Sequence, residues 1–409
     1  MTNTIQICDA PMGTGKTTAA INYINNHPEK KFLFITPYLE QVDRIVNACE
    51  EREFIAPINN GDGKLSNLET LLESHSCIAS THALFSLFTK RTAEIIARNE
   101  YTLILDETLT VIDLIKLKRQ DDYMLLESKS AFYNGKTRVV NFSEREYSGD
   151  NDAIAALYDA SKRGEITYYG ESCYVWTFSP DMFRCFNEVI VMSYLFDKQL
   201  QYYYHKVYGF KMTNLYVGRD AAGQLCFTSK SVKYEHLKVD VEKIMLYHSE
   251  KINKIGNQTT ALSKSWFESG TPERLKTIKN NTYNFFKHIC NAKSKDVIWT
   301  SFKSVESRVA PNGYARSFVA CNSRATNAFS DRHCLAYCAN IYANPVFVNY
   351  FKAHDIIIDK DGYALTMLLQ WIWRSAIRNG EEIRLYIPSR RMRHIFEDWV
   401  NAVREGKNI

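Results

Sequence analysis

The sequence predicts an α/β protein whose strands form parallel sheets. A strand-like run, Thr4 to Cys8, is followed by the glycine-rich loop APMGTGKTT, Ala10 to Thr18, and then by the helix-like segment AAINYINN. A second apolar run, Tyr101 to Leu105, ends in the acid pair Asp106-Glu107. The second half again alternates amphipathic helix and buried strand, a pattern that favours parallel sheets with helical crossovers.

Length and composition indicate a globular chain. At 409 residues, of which 45% are hydrophobic, it can bury a sizeable core, and we expect two or three domains. It has no apolar run of membrane-spanning length, and its N-terminus, MTNTIQICDA, lacks the pattern of a signal peptide. We therefore expect a cytoplasmic protein. The net charge of +5 has the sign that suits a polyanionic partner.

The ten cysteines are scattered singly, which indicates reduced thiols. Their densest group is His333, Cys334 and Cys338. It lacks a second spaced pair, so we interpret it as helix packing and predict no metal site other than one for Mg²⁺.

The glycine-rich loop is typical of a phosphate cradle between a strand and a helix. Gly13 and Gly15 let the backbone curl so that its N–H groups face a phosphate. Lys16 would reach the β- and γ-phosphates, and Thr17 would offer its hydroxyl to Mg²⁺. The predicted nucleotide-binding residues are Pro11, Met12, Gly13, Thr14, Gly15, Lys16, Thr17 and Thr18.

The acid pair follows a buried strand downstream of that loop. In a parallel sheet this position lies beside the phosphate cradle. Asp106 would hold the Mg²⁺ shell together with Thr17, and Glu107 would orient and deprotonate the attacking water. The alternative is a solvated pair of loop acids.

Taken together, these motifs resemble superfamily 2 helicases. Ala10 stands where the commonest P-loop has glycine, and AxxGxGKT is the form usual in that family. FLFITPYLEQ, CIASTHALF and VIVMSYLF resemble its motifs Ia, the following strand and turn, and motif III. The resemblance implies contacts with the nucleic-acid backbone at Thr36, Pro37, Ser80, Thr81 and His82. It also implies that the hydroxyl of Ser193 couples ATP to strand binding.

The second half resembles the other lobe of this family. DVIWTSF is similar to motif IV and contains Thr300, another predicted nucleic-acid contact. SFVACNSRATNAF, Ser317 to Phe329, falls where motif V belongs, which makes Arg324 and Thr326 further candidates. These polar groups would equally suit a helix cap.

The segment LLQWIWRSAIR, Leu368 to Arg378, reads as an apolar helix that carries cations. At 3.6 residues per turn Gln370, Arg374 and Arg378 share one face. The pattern resembles motif VI, Q-x-x-G-R-x-x-R, with Trp373 in place of glycine and the last arginine one position late. The resemblance implies that Arg374 or Arg378 is an arginine finger at the γ-phosphate. Alternatively, both arginines pair with acids in a structural network.

Two further segments have more than one interpretation. QLQYYYHKVYGF, Gln199 to Phe210, has the rings and cations that stack on single strands, but we favour an ordinary strand. SRRMRHIFEDWVNAVRE predicts a helix capped by Ser389, whose first turns carry Arg390, Arg391 and Arg393. Those arginines would suit either a nucleic acid or a solvated face.

The resemblance implies two tandem RecA-like parallel-sheet lobes with insertions. We predict an N-terminal lobe at 1–200 with an insertion at about 113–172, which includes a helix from Asp152 to Lys162. The C-terminal lobe would span 201–409 with an insertion at about 216–273, where two strand-like pieces flank an Ala-Ala-Gly turn.

The segments RATN, MSYLF and QWIWRSAIR also resemble phage-encoded superfamily 2 helicases, and the P-loop resembles that of herpesvirus-type origin-binding helicases. We therefore expect an ATP-dependent helicase or translocase that acts in DNA replication or repair of a phage or mobile element. Its cofactors would be ATP and Mg²⁺, and its partner nucleic acid, with DNA favoured over RNA. Two alternatives remain open: a duplex-DNA translocase or packaging-type ATPase that does not unwind, and an ATP-switched regulatory protein that binds a partner through its insertions.

Overall fold

The computed structural model describes residues 2–49, 52–115, 130–133, 140–142, 152–168, 174–321 and 328–407. The chain divides into two compact units. Unit 1 comprises Met1–Asp9, Thr17–Lys230 and Asn344–Ile358, and unit 2 comprises Ala10–Lys16, Ser231–Ala343 and Asp359–Ile409. The predicted boundary between residues 200 and 201 therefore falls inside unit 1.

The strands are short and are distributed along the whole chain. In chain order they are β1 Thr4–Asp9, β2 Phe32–Thr36, β3 Ile78–Thr81, β4 Thr102–Asp106, β5 Ile112–Leu114, β6 Ser130–Tyr133, β7 Val140–Phe142, β8 Ile166–Tyr168, β9 Tyr174–Thr177, β10 Glu188–Ser193, β11 Lys211–Arg219, β12 Leu225–Thr228, β13 Ile244–Leu246, β14 Val297–Thr300, β15 Cys334–Tyr337 and β16 Ile383–Tyr386.

Helices alternate with these strands. They are α1 Lys16–Asn25, α2 Leu39–Ala48, α3 Lys64–Glu73, α4 His82–Phe85, α5 Lys90–Asn99, α6 Asp152–Lys162, α7 Asp181–Arg184, α8 Leu200–Val207, α9 His236–Glu242, α10 Glu250–Asn253, α11 Lys264–Glu268, α12 Pro272–Asn284, α13 Glu306–Val309, α14 Pro345–Lys352, α15 Lys360–Ile372 and α16 Arg390–Arg404. Short 3₁₀ turns occupy Phe196–Lys198, Lys254–Gly256, Ser294–Asp296, Lys303–Val305, Ala315–Ser317 and Ala376–Asn379, and a π-helical turn, Phe285–Ile289, continues α12. In the described part of the chain, none of the helices has the length and apolar character needed to cross a membrane.

Unit 1 is built on a seven-stranded sheet of order β12-β11-β1-β10-β4-β2-β3. All neighbouring pairs are parallel except β11 and β12. Every residue of β2 and β4 is buried, as expected for a parallel sheet that is covered on both faces. In the register, Asp9 lies opposite Ser193, and Met192 lies opposite Asp106. The carboxyl ends of β1, β10 and β4 therefore meet at one edge of the sheet.

The two segments predicted as insertions differ in how they relate to the main sheet of unit 1. Between residues 112 and 177, the described residues form β5, β8 and β9, which make a small antiparallel sheet, the pair β6–β7, and helix α6, whose bounds match the predicted helix. The second predicted segment begins with the β11–β12 hairpin, which turns through the predicted Ala-Ala-Gly sequence. Because β11 pairs with β1, this hairpin extends the main sheet of unit 1.

The core of unit 1 is rich in aromatic rings. Phe183 lies at its centre, with ring-centroid distances of 5.5 Å to Phe178 and 5.0 Å to His205. The tyrosine-rich segment that we predicted as a strand is the helix α8, so that prediction is wrong. Its buried face contributes Tyr203 and Tyr204 to this core.

Unit 2 contains a four-stranded parallel sheet of order β13-β16-β15-β14. Trp299, Phe285 and Tyr386 belong to its core. Cys334 begins strand β15, so this residue of the predicted cysteine group lies on a strand, whereas Cys338 packs on helix α12, with its Sγ 3.3 Å from the Thr282 hydroxyl oxygen. The final helix, α16, begins as predicted, with the Ser389 side chain accepting a hydrogen bond from the Met392 N–H. The predicted α/β fold with two parallel sheets and an insertion is confirmed.

Candidate functional site

The glycine-rich loop connects the end of β1 to the first residue of α1. Gly13 has φ 79° and Gly15 has φ 88°, a region that side-chain-bearing residues rarely adopt. The loop is also closed by the Thr14 hydroxyl, which donates to the Pro11 carbonyl at 2.7 Å. The sequence prediction of a curled loop that leads into a helix N-terminus agrees with this backbone.

Lys16 folds back over that loop. Its Nζ donates to the carbonyl oxygens of Ala10, at 2.5 Å, and Pro11, at 3.0 Å. A cation held at the mouth of a helix N-terminus is placed where a phosphate would sit. Thr17, the next residue, is half-buried in the first turn of α1.

These residues fit a nucleotide with Mg²⁺. A Cβ at Gly13 would meet nothing within 4 Å, so the space beside the loop is open. Phosphate oxygens accept hydrogen bonds from the two kinds of donor present here, backbone N–H groups and one ammonium group, and the threonine hydroxyl oxygen is a ligand of the kind that Mg²⁺ takes.

Asp106 is the last residue of β4 and is 7% exposed. Glu107 follows it in the left-handed region, with φ 63°, and its N–H donates to the Met192 carbonyl at 3.0 Å. The Nε2–H of His82 donates to the carbonyl oxygen of Asp106 at 2.9 Å. The acid pair is thus held by the neighbouring strand β10 and by the first residue of helix α4, at the sheet edge where β1 also ends.

Ser193, the predicted coupling residue, ends β10 and is 5% exposed. Its hydroxyl accepts from Nε2 of Gln199 at 2.7 Å, and the same amide nitrogen donates to the Tyr194 carbonyl at 2.8 Å. The amide oxygen of Gln199 accepts from the hydroxyl of Thr108, directly after the acid pair, at 2.5 Å. Sequence reasoning missed Gln199, because a single glutamine at a helix start carries no motif.

Asp9 was also missed, although it immediately precedes the loop. Its two carboxylate oxygens accept from the backbone N–H groups of Leu195 and Phe196, at 2.8 and 2.9 Å. This clamp joins the end of β1 to the turn after β10. A further contact within unit 2 brings His236 Nε2 within 3.2 Å of the Met12 carbonyl oxygen.

Most of the residues predicted to contact nucleic acid have side chains that are buried or hydrogen-bonded to other residues of the protein. Thr36 is fully buried and donates to Gln41, and Thr81 caps α4 by accepting from the Leu84 N–H. Ser80, His82 and Thr300 are also buried, whereas Pro37 is half-buried. Arg324 and Thr326 lie outside the described residues.

The arginine segment is not one helix. Helix α15 ends at Ile372, and Ser375 has an extended backbone with φ −88° and ψ −172° before the 3₁₀ turn Ala376–Asn379. The prediction that Gln370, Arg374 and Arg378 share one helical face is therefore wrong.

The two arginines have different environments. Arg374 is 2% exposed and its Nη1 lies 3.4 Å from the carbonyl oxygen of Ala320, whereas Arg378 is exposed. Burial raises the pKa of Tyr337 well above its ordinary value, so this phenol stays neutral beside the Arg374 guanidinium. Trp373 packs on Trp399 at 5.8 Å between ring centroids, and this packing explains why an indole stands where the helicase pattern has glycine.

The basic start of α16 is engaged within unit 2. Arg391 pairs with Asp361 at 2.6 Å and lies over the ring of Tyr342 at 4.2 Å. Arg393 is 8% exposed and donates to the Ile387 carbonyl at 2.9 Å. These contacts support a structural role for Arg391 and Arg393.

Comparison with known proteins now bears on this site. Residues 2–143 match the DEAD/DEAH box helicase family, and residues 238–400 match the family described as the YonV C-terminal Rossmann-like domain. The chain is 38% identical, over 98% of its length and 99% of the relative's, to the SPbeta prophage-derived uncharacterized protein YonV of Bacillus subtilis (strain 168).

One solved structure supports the fold. Xpd4 of S. tokodaii superposes with a TM-score of 0.50 at 14% identity, covering 97% of this chain and 94% of that chain. The DUF1998 helicase MrfA bound to DNA superposes with a TM-score of 0.34 at 9% identity, covering 97% of this chain and 46% of that chain. That similarity is too low to support an inference. The predicted resemblance to superfamily 2 helicases, and to phage-associated ones in particular, is confirmed, as is the RecA-like α/β fold.

Proposed function

Because this chain belongs to the family of the prophage-derived protein YonV and carries a DEAD/DEAH box helicase domain, we propose that it is an ATP-dependent nucleic-acid helicase or translocase. We further propose that it acts on DNA in phage replication or repair. The prophage origin of its relative supports this biological setting.

The observation that supports the activity best is the arrangement at one edge of the sheet in unit 1. The loop with two left-handed glycines leaves β1 at this edge, and Asp106 ends β4 there. Loops at the carboxyl ends of parallel strands are where such folds bind nucleotides. A structural acid pair would not require a glycine-rich loop with a lysine after β1, the strand that is separated from β4 by β10 alone.

The proposed roles follow from the position of each group. Lys16 would contact phosphate oxygens, and Thr17 and Asp106 would hold Mg²⁺. Glu107, whose backbone lies in the left-handed region directly after the strand, orients and deprotonates water. When bound, Mg²⁺ supplies positive charge to the β- and γ-phosphate oxygens. Nucleic acid would meet the strand ends at Thr36, Ser80 and Thr300 through backbone groups, since those side chains are buried.

ATP hydrolysis tests the proposal directly. Turnover of the wild-type protein and of Lys16→Ala would be measured alone and with single-stranded DNA, duplex DNA and RNA. We expect DNA to raise the wild-type rate and Lys16→Ala to be inactive throughout. If no nucleic acid raises the wild-type rate, the motor proposal is overturned.

A strand-displacement assay on tailed duplexes separates unwinding from movement along a duplex. Product that depends on ATP and on a single-stranded tail indicates a helicase. Stimulation of ATP hydrolysis by duplex DNA without displacement indicates a translocase that does not unwind.

A further inference from the structure

Unit 2 contains a cavity of about 490 Å³ between α10, with the 3₁₀ turn after it, and α12. One wall carries two lysines, and the other carries a hydroxyl and three amides. The polar lining residues are Lys251, Lys254, Thr277, Asn280, Asn281 and Asn284, and Ile252 and Ile255 complete the lysine wall. We call this the lysine–asparagine cavity.

The amide wall is one face of a helix. Thr277, Asn280, Asn281 and Asn284 are spaced i, i+3, i+4 and i+7 on α12, so their side chains project in the same direction. Asn281 Nδ2 donates to the Ile252 carbonyl at 3.0 Å, which ties the two walls together. At 1.5 Å per residue this face is about 10 Å long, the rise of roughly three nucleotides of one DNA strand.

The lysine wall carries positive charge that the described residues do not neutralise. Lys251 and Lys254 are both exposed, and neither makes an ion pair within the described part of the chain. The lining contains no acid. Glu250 and Glu273 lie on the same two elements but outside the lining.

The chemistry of this lining suits phosphodiester groups and sugars better than bases or carboxylates. The lining has no aromatic ring on which a base would stack. It also has no arginine to grip a carboxylate with two parallel hydrogen bonds, whereas lysine binds phosphate as a point charge. Amide donors commonly contact phosphate and sugar oxygens, and Asn280 and Asn284 supply them here. The Thr277 hydroxyl already donates to the Glu273 carbonyl at 2.8 Å.

We propose that the lysine–asparagine cavity binds the sugar–phosphate backbone of a nucleic-acid strand, without reading its sequence. This inference rests on the proposed function, because it assigns a place where the nucleic-acid partner is held. None of the motifs recognised in the sequence includes these residues.

The test measures binding of a fluorescent oligo-dT strand by anisotropy, without nucleotide, over a range of salt concentrations. The variant is the double substitution Lys251→Ala/Lys254→Ala. Its control, Lys264→Ala/Lys303→Ala, removes two lysines of the same unit that pair with Glu268 and Glu306. Both pairs of lysines are exposed, so folding should be unaffected, and both variants lose the same net charge.

Each single-strand phosphate contact contributes about 0.7 to the slope of log affinity against log salt. We expect the cavity variant to reduce that slope by about 1.4 and to weaken binding about tenfold, while the control keeps the wild-type slope. Asn280→Ala/Asn284→Ala should weaken binding without changing the slope. Basal ATP hydrolysis should be unchanged in all three variants.

Failure of the cavity proposal can be distinguished from failure of the proposed function. Wild-type protein that binds no oligonucleotide at any salt concentration would overturn the proposed function. Wild-type protein that binds, with the same slope in the cavity variant and in the control, would overturn the cavity alone. Competition by a poly-glutamate peptide as strong as that by unlabelled oligo-dT would show that the cavity takes acidic protein segments, and it would also overturn the inference.

Discussion

Gln199 donates a hydrogen bond of 2.7 Å to the hydroxyl oxygen of Ser193, and both side chains are almost fully buried. The same amide accepts from Thr108, the residue after the acid pair. One side chain thus connects the end of β10 to the loop that carries Glu107. Because a buried amide with three partners has little freedom to move, the two segments should shift together.

Replacement of Gln199 by glutamate should weaken the connection between these two segments at constant side-chain size. The carboxylate can accept from the hydroxyls of Thr108 and Ser193, but it cannot donate to the Tyr194 carbonyl and would place a buried negative charge beside that oxygen. We expect ATP turnover to fall about tenfold and the free energy of unfolding by about 1–3 kcal/mol, with ATP affinity changed less than twofold. Measured kcat and KM check this, and Gln258→Glu, at an exposed position, is the control. A rise in KM with unchanged kcat would contradict the prediction.

Alanine at Gly13 should disrupt nucleotide binding through the backbone. A Cβ there meets nothing within 4 Å, so the cost comes only from φ 79° and is about 1–2 kcal/mol. Gly223 in the β11–β12 turn is a matched control, because its φ is 81° and its surroundings are equally open. Both substitutions should lower stability by similar amounts, but only Gly13→Ala should weaken ATP binding. Equal ATP affinities in the two variants would contradict the role of the loop.

The two arginines should differ in both stability and turnover. We propose Arg374 as the residue that acts on the γ-phosphate, since it keeps the position of the helicase pattern. Arg378→Ala removes an exposed side chain and should change the free energy of unfolding by less than about 0.5 kcal/mol, with turnover retained. Arg374→Lys keeps the charge but loses the planar fork, and we expect turnover to collapse with ATP binding largely kept. Loss of turnover in Arg378→Ala with normal turnover in Arg374→Lys would reverse the assignment.

The loop and the acid pair could be predicted because their chemistry is local. Two glycines, a lysine and a threonine specify their own backbone, and strand ends follow from apolar runs. The break after Ile372 could not be predicted, because its partners are distant in sequence: the Ala376 N–H donates to the Arg332 carbonyl at 3.0 Å. Nothing in LLQWIWRSAIR encodes that contact.

Conversely, α8 could have been predicted from the sequence. Leu200, Tyr203, Tyr204 and Val207 have helical spacing, but tyrosine's frequency in strands led us to the wrong prediction.

His205 should make unit 1 sensitive to acid. It is fully buried among aromatic rings, with Phe210 at 5.2 Å and Phe196 at 6.1 Å, and burial lowers its pKa from 6.5 to about 3. Below pH 6.5 the unfolded chain binds a proton at this site that the folded chain does not, so stability falls as the pH drops from 6.5 towards 3.

Between pH 7.5 and pH 5 this single group should remove about 2 kcal/mol of unfolding free energy, at roughly 1.4 kcal/mol per pH unit below 6.5. His205→Phe keeps an aromatic ring of similar size but cannot titrate, so its stability should depend on pH less than that of the wild type by this amount. Urea unfolding of both proteins at the two pH values, followed by circular dichroism, measures the difference. Because the comparison subtracts every other titrating group, an identical pH dependence in His205→Phe and wild type would mean that the buried imidazole is protonated equally in both states.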